Sequence, residues 1–120
     1  MPFKVLTCAA LVAGLLVPIA ASADGAPPAF TRCEGCHRTE AGKNAVGPSL
    51  FGVVGRKVGT EPGFRYSPAM AAAGGVWDSA RLAKFLAAPK DAVPGTRMGF
   101  PGLKNPEDVK AVVDYLQTLK

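Results

Sequence analysis

Histidine and tryptophan each occur once in this sequence of 120 residues, and cysteine three times. A single histidine excludes a site built from two or three imidazoles and leaves no second imidazole for acid–base work. Three cysteines exclude a disulfide-rich scaffold and provide no second cluster to close a zinc tetrahedron. No stretch alternates as a half-buried strand does, and internal repeats and low-complexity tracts are missing too. The length allows one domain and excludes a multi-domain enzyme. Large apolar side chains are scarce. From Asp24 onward 41 of 97 residues are apolar, but 14 of these are alanine and two are cysteine, while glycine and proline contribute 13 and 9. A chain of that size buries only about 65% of its unfolded surface. With so little bulk and so many loop formers, something further must fill its centre.

The apolar residues are concentrated at the start. Residues Met1–Ala23 hold one cation, Lys4, an apolar run from Val5 to Ile19, and the small residues Ala21-Ser22-Ala23. A short positive start, an apolar middle and an A-x-A ending describe a secretory signal, with cleavage expected after Ala23. A membrane anchor needs roughly 20 apolar residues, and Gly14 and Pro18 interrupt this run. No second apolar stretch of spanning length follows. The expectation is a soluble, exported domain over residues 24–120, with formal charge +4 once Lys4 is gone (13 cations less 9 anions).

Cys8 leaves with the signal, so the exported part holds Cys33 and Cys36, in Cys33-Glu34-Gly35-Cys36-His37. A disulfide between residues three apart on a helix is strained. A thioredoxin-like pair would need a strand before it and a βαβ frame, and neither is visible. C-x-x-C-H in an exported chain reads as covalent haem attachment. On a helical turn, positions i and i+3 present both sulfurs along one edge for two thioethers, and histidine at i+4 lies on the same face and reaches the iron.

Proline, glycine and cap residues divide the remainder. Pro27-Pro28 opens a short helix expected to run through Cys36. Residues 42–63 are rich in glycine and read as loop. Ser67 caps a brief helix with Pro68 at its first position, and Gly74-Gly75 stop it. Asp78 caps a helix from Ser79 to Ala88 with Leu82, Phe85 and Leu86 on one face, ended by Pro89. Residues 91–102 read as loop again. Asn105-Pro106-Glu107-Asp108 start a last helix whose apolar positions Val109, Val112, Val113, Leu116 and Leu119 keep helical spacing. The fold class is all-α, with loops long enough that they must wrap something.

With His37 as the only histidine, a second axial ligand to the iron would be a thioether, and the exported part offers Met70 and Met98. Met70 sits among alanines in a helix and suits a core filler. Met98 lies in a Pro-Gly loop 61 residues after His37, where the chain can bend to the opposite side. Position favours Met98, but periodicity does not select it.

Beyond these residues the chain carries, in order, Gly47-Pro48-Ser49-Leu50-Phe51-Gly52-Val53-Val54-Gly55-Arg56, Pro62-Gly63-Phe64-Arg65-Tyr66-Ser67, Trp77, and Val93-Pro94-Gly95-Thr96-Arg97-Met98. With the C-x-x-C-H segment, this series resembles the class I cytochromes c, close to the mitochondrial type and its bacterial electron-carrier relatives, along essentially all of the exported part. The resemblance implies a small helical fold wrapped around one haem, with Met98 opposite His37 as metal ligands. It implies that the Pro48 carbonyl accepts a hydrogen bond from the second ring nitrogen of His37. It also implies that Arg56, Tyr66, Ser67 and Trp77 surround the inner haem propionate, with Thr96 a further donor. A carboxylate removed from water needs charge-assisted hydrogen bonds in place of its hydration, which suits these residue types. Three departures stand out: Phe85 and Met70 replace a tyrosine and an asparagine of the mitochondrial type, making the Met98 side more apolar, and Phe30 precedes Cys33 by three residues rather than four, which shortens the first helix.

The function expected from this coordination is one-electron transfer, because an iron held on both sides offers no open position for substrate. The alternatives are an open-coordination haem enzyme or gas sensor with peroxidase-like activity, and a haem-stabilised interaction module. Arg32, Lys43, Lys57, Lys90, Arg97 and Lys104 are candidates for a basic docking face that steers acidic partners. The resemblance suggests quinol–cytochrome reductase, terminal oxidase, a photosynthetic reaction centre or a periplasmic dehydrogenase as those partners. A periplasmic monomer is expected, with neither nucleic-acid binding nor stable membrane insertion.

Overall fold

The computed structural model describes residues 25–120, together with 9–10 and 13–14. The rest of the expected signal lies outside the described residues. Among the described residues there is no named strand, only an isolated antiparallel bridge between Lys57 and Val76. None of their helices is long and apolar enough to cross a membrane.

Five α-helices follow a 3-10 turn at Pro28–Phe30: α1 Thr31–Glu34, α2 Pro68–Ala72, α3 Ser79–Ala87, α4 Pro89–Ala92 and α5 Pro106–Gln117. The cap chemistry explains most starts. The Ser67 side chain accepts from the Met70 amide, Asp78 from the Arg81 amide and Asn105 from the Glu107 amide. Each cap satisfies one of the orphan N–H groups of a first turn, and Pro68 and Pro106 stand where a missing N–H costs nothing.

Two expectations require correction. The first helix stops at Glu34 rather than at Cys36, because the Cys36 and His37 amides both converge on the Cys33 carbonyl, at 3.2 and 2.9 Å, and close a turn. Residues 89–92 are helical, although Pro89 reads as a stop. Proline ends α3 and opens α4, since Ala88 adopts φ −155° between them and a fixed proline φ suits a first helical position.

The core lies between α3 and α5, joined by the N-terminal turn. Leu82, Phe85 and Leu86 of α3 face the Val109, Val112, Val113, Tyr115 and Leu116 side of α5. Phe30 is almost fully enclosed and meets the Tyr115 ring edge-on at 4.8 Å. Each such side chain contributes about 1.5–3 kcal/mol on burial. Gly102, at φ +110°, lets the chain cross the end of α3, where a Cβ would run into the Ala87 carbonyl. The Leu103 amide then donates to Leu86 O at 2.8 Å. This crossing joins the Met98 segment to α5.

Candidate haem site

Cys33 lies in the single turn of α1, and Cys36 and His37 follow in the turn that its carbonyl closes. The two sulfurs are not bridged. Burial pushes the Cys33 thiol up, against the opposing pull of the Arg32 cation. Before haem attachment it is therefore a protonated thiol at neutral pH.

His37 is the best-held side chain of the site. Its Nδ1 lies 2.7 Å from Pro48 O. A carbonyl oxygen only accepts, so Nδ1 carries the proton and Nε2 keeps the lone pair that binds a metal. Burial lowers the pKa of the imidazole, with the Pro48 hydrogen bond acting in the opposite direction. Gly47 packs against the ring. A Cβ there would lie 2.7 Å from Nδ1 and 2.8 Å from Nε2, so this position accepts glycine alone.

The loop bearing Gly47 and Pro48 is tied down along its length. The Gly47 amide donates to Cys36 O at 2.8 Å and the Leu50 amide to Arg38 O at 2.9 Å. Ser49, completely buried, donates from its hydroxyl to Glu40 O at 2.6 Å and accepts from the Phe51 amide. Asn44 accepts from the Ser49 amide at 2.9 Å and donates to Pro62 O at 3.0 Å. Neither Asn44 nor Ser49 stood out in the sequence. The available signal was the presence of an amide and a hydroxyl in a glycine-rich loop, where such side chains bond to the backbone.

Arg56, Tyr66 and Trp77 are brought together by main-chain pairing and by Glu61. The Gly55 amide donates to Trp77 O at 2.7 Å and the Trp77 amide to Arg56 O at 2.9 Å. Arg56 reaches Glu61 at 3.1 Å and donates to Phe51 O at 2.6 Å, while Tyr66 Oη accepts from the Glu61 amide at 3.0 Å. Trp77 is buried against Phe85, with ring centroids 5.0 Å apart. Ser67 is also buried, its oxygen occupied as the α2 cap. Glu61 is a further residue that the sequence did not single out.

Met98 belongs to the loop between α4 and α5. It is half-buried against the core, and its amide donates to Thr96 Oγ1 at 3.3 Å. Gly95, at φ +90°, turns this loop beside Ala69 of α2. Met70 is buried in α2, as a core filler would be. Among the described residues no three His, Cys, Asp or Glu side chains are grouped to hold a metal ion. Two free thiols three residues apart, followed by an imidazole whose lone pair is fixed on Nε2, suit a covalently attached haem.

Comparison with known proteins agrees. The Cytochrome c family model matches residues 22–120. The chain belongs to the class I cytochrome c family. It is 57% identical over 100 residues to the cytochrome c2 iso-1 of Magnetospirillum molischianum, covering 82% of this chain and 100% of the relative. It is 54% identical over 96 residues to the cytochrome c2 of Rhodoplanes tepidamans, covering 79% and 98%. Among solved structures, cytochrome cH from Methylobacterium extorquens superimposes with a TM-score of 0.70 at 46% identity, covering 75% of this chain and 91% of that one. As in the rest of the cytochrome c family, one haem c is attached through Cys33 and Cys36.

Proposed function

We propose that this chain is an exported one-electron carrier whose haem iron is held by His37 Nε2 and Met98 Sδ. The observation that carries the reading is the Pro48 hydrogen bond on His37 Nδ1, which dedicates the opposite nitrogen to the metal. The bound haem supplies a one-electron couple. The polypeptide orients the imidazole through Pro48 and Gly47, excludes water with Trp77, Phe85 and Met70, and offers hydrogen-bond donors to the haem carboxylates. Arg56, Tyr66, Ser67 and Trp77 take that last role, with Thr96 near Met98. A fixed carbonyl acceptor raises the basicity of the iron-bound nitrogen, and thioether ligation with burial raises the potential.

With His37 and Met98 both holding the iron, no position would be left for a substrate, which disfavours the peroxidase-like and gas-sensing alternatives. The domain runs over residues 24–120 in the periplasm, after a signal removed near Ala23. Arg32, Lys43, Lys57, Lys90, Arg97 and Lys104 are all exposed. They form the basic face that steers a monomer to acidic surfaces of a quinol–cytochrome reductase, terminal oxidase, reaction centre or dehydrogenase.

The test is the ferric visible spectrum, whose weak near-red band reports the iron–thioether bond. Met98→Ala should abolish the band and lower the potential, while Met70→Ala should keep it. The opposite pattern would transfer the ligand role to Met70, and high-spin bands in the unaltered protein would favour the enzyme or sensor.

A further inference from the structure

The residues around Arg56 hold a carboxylate in a place where a cation alone would serve an anionic group. Arg56 Nη2 and Glu61 Oε2 are 3.1 Å apart, and both side chains are only 12% exposed. The same Nη2 donates to Phe51 O at 2.6 Å, so both of its protons are committed. Three of the five guanidinium protons remain for another acceptor. Glu61 is itself fixed through its backbone, since its amide donates to Tyr66 Oη at 3.0 Å. The turn before it is closed by the Thr60 hydroxyl on Lys57 O at 2.6 Å. Glu61 thus links two of the residues placed above beside the haem carboxylates, Arg56 through its carboxylate and Tyr66 through its main-chain amide.

We infer that Glu61 sets the charge beside the haem: it cancels the Arg56 cation within a largely shielded cluster and so lowers the reduction potential. This rests on the proposed placement of Arg56 against the haem propionate. With Glu61 present, the pair contributes no net charge where Arg56 alone would contribute +1. The ferric state carries one more positive charge than the ferrous state, so a nearby fixed carboxylate favours oxidation. Shielding from water keeps that effect from being screened as a surface charge would be. Glu61 also holds the guanidinium fork in place for the acceptor that takes its remaining protons.

The experiment is an equilibrium redox titration of the holoprotein with its covalent haem, accompanied by the near-red ferric band and a guanidinium unfolding curve. Glu61→Gln should raise the potential by the equivalent of a three- to tenfold change in the ferric/ferrous ratio, tenfold being about 59 mV for one electron. Arg56→Gln should lower it, and the double variant should return close to the unaltered protein. Glu61→Asp keeps the charge, so it should hold the potential even if the unfolding midpoint falls. Asp114→Asn removes the same charge from an exposed pair and should leave the potential unmoved. If Arg56→Gln shifts the potential and Glu61→Gln does not, the inference is overturned while the placement of Arg56 stands. If neither shifts it, the placement of Arg56 fails and the inference fails with it.

Discussion

The segments that carry His37 and Met98 are built by opposite strategies. His37 is fixed by its own side chain: Nδ1 on Pro48 O, the ring face on Gly47, and the supporting loop tied through Ser49 and Asn44. Met98 is delivered by its backbone, in a loop turned by Gly95 and steadied where its amide meets Thr96. Further on, Phe100 lies 4.6 Å beneath the Arg32 guanidinium. A thioether has no second polar atom for the protein to hold, whereas an imidazole has one. The contrast therefore follows from ligand chemistry, and the His37 side should be the rigid one.

One glycine on each segment breaks the comparison most directly. A Cβ at Gly47 collides with three atoms of the His37 ring, which the Pro48 hydrogen bond holds in place, while a Cβ at Gly99 meets nothing within 4 Å. Gly47→Ala should cost about 3 kcal/mol or more in guanidinium unfolding, at or beyond the usual range for overpacking. Gly99→Ala should stay within about 0.5 kcal/mol, as a surface change does. Equal losses would dissolve the distinction.

Acid should attack the same side, with a smaller effect because a single proton is involved. Burial holds the folded imidazole below its ordinary pKa, so the unfolded chain takes up a proton first, near about pH 6.5. The contribution of neutral His37 is complete above that pH and is lost as pH falls from there towards the lower folded value. Thermal melts of the haem-bound protein between pH 7 and 4 should show the decline, since binding of Nε2 to iron holds the folded value lower still, and Met98→Ala should not change its position.

The helical frame was legible in the sequence because caps and apolar spacing act locally. Ser67, Asp78 and Asn105 each bond an amide two or three residues away, and the apolar positions of α5 repeat with the helix. The loops were less legible. Asn44 joins Ser49 to Pro62, 5 and 18 residues away, and no periodicity announces such a bond. Glu61 did not stand out because its partner lies across a loop. The C-x-x-C-H spacing in an exported chain identified the haem, whereas Met98 was separated from Met70 only by position and resemblance. Helix α4 was hidden because Pro89 both ends one helix and begins another.

Next in size is the anchor beneath Pro48. Ser49→Ala removes a buried hydroxyl that serves both the Glu40 carbonyl and the Phe51 amide. Leaving buried groups unpaired costs about 1–3 kcal/mol. Because the loss falls on the loop that orients His37, the near-red band should remain intact while the unfolding midpoint drops. Loss of the band before any change in midpoint would mean that the two sides are not separately supported.

The smallest effect is expected on the other side, at Arg32. Its guanidinium lies over the Phe100 ring, joining α1 to the Met98 loop. At an exposed position such a contact contributes about 0.5–1 kcal/mol. Arg32→Gln should therefore leave global unfolding almost unchanged but make the near-red band disappear earlier in a guanidinium titration, by roughly a two- to fivefold shift in the local opening equilibrium. Arg32→Lys should fall between the two, since a compact ammonium stacks on the ring less well than a planar fork. If Arg32→Gln moves the global midpoint and the band together, the Met98 loop opens only with the whole molecule, and the two ligand segments are equally firm.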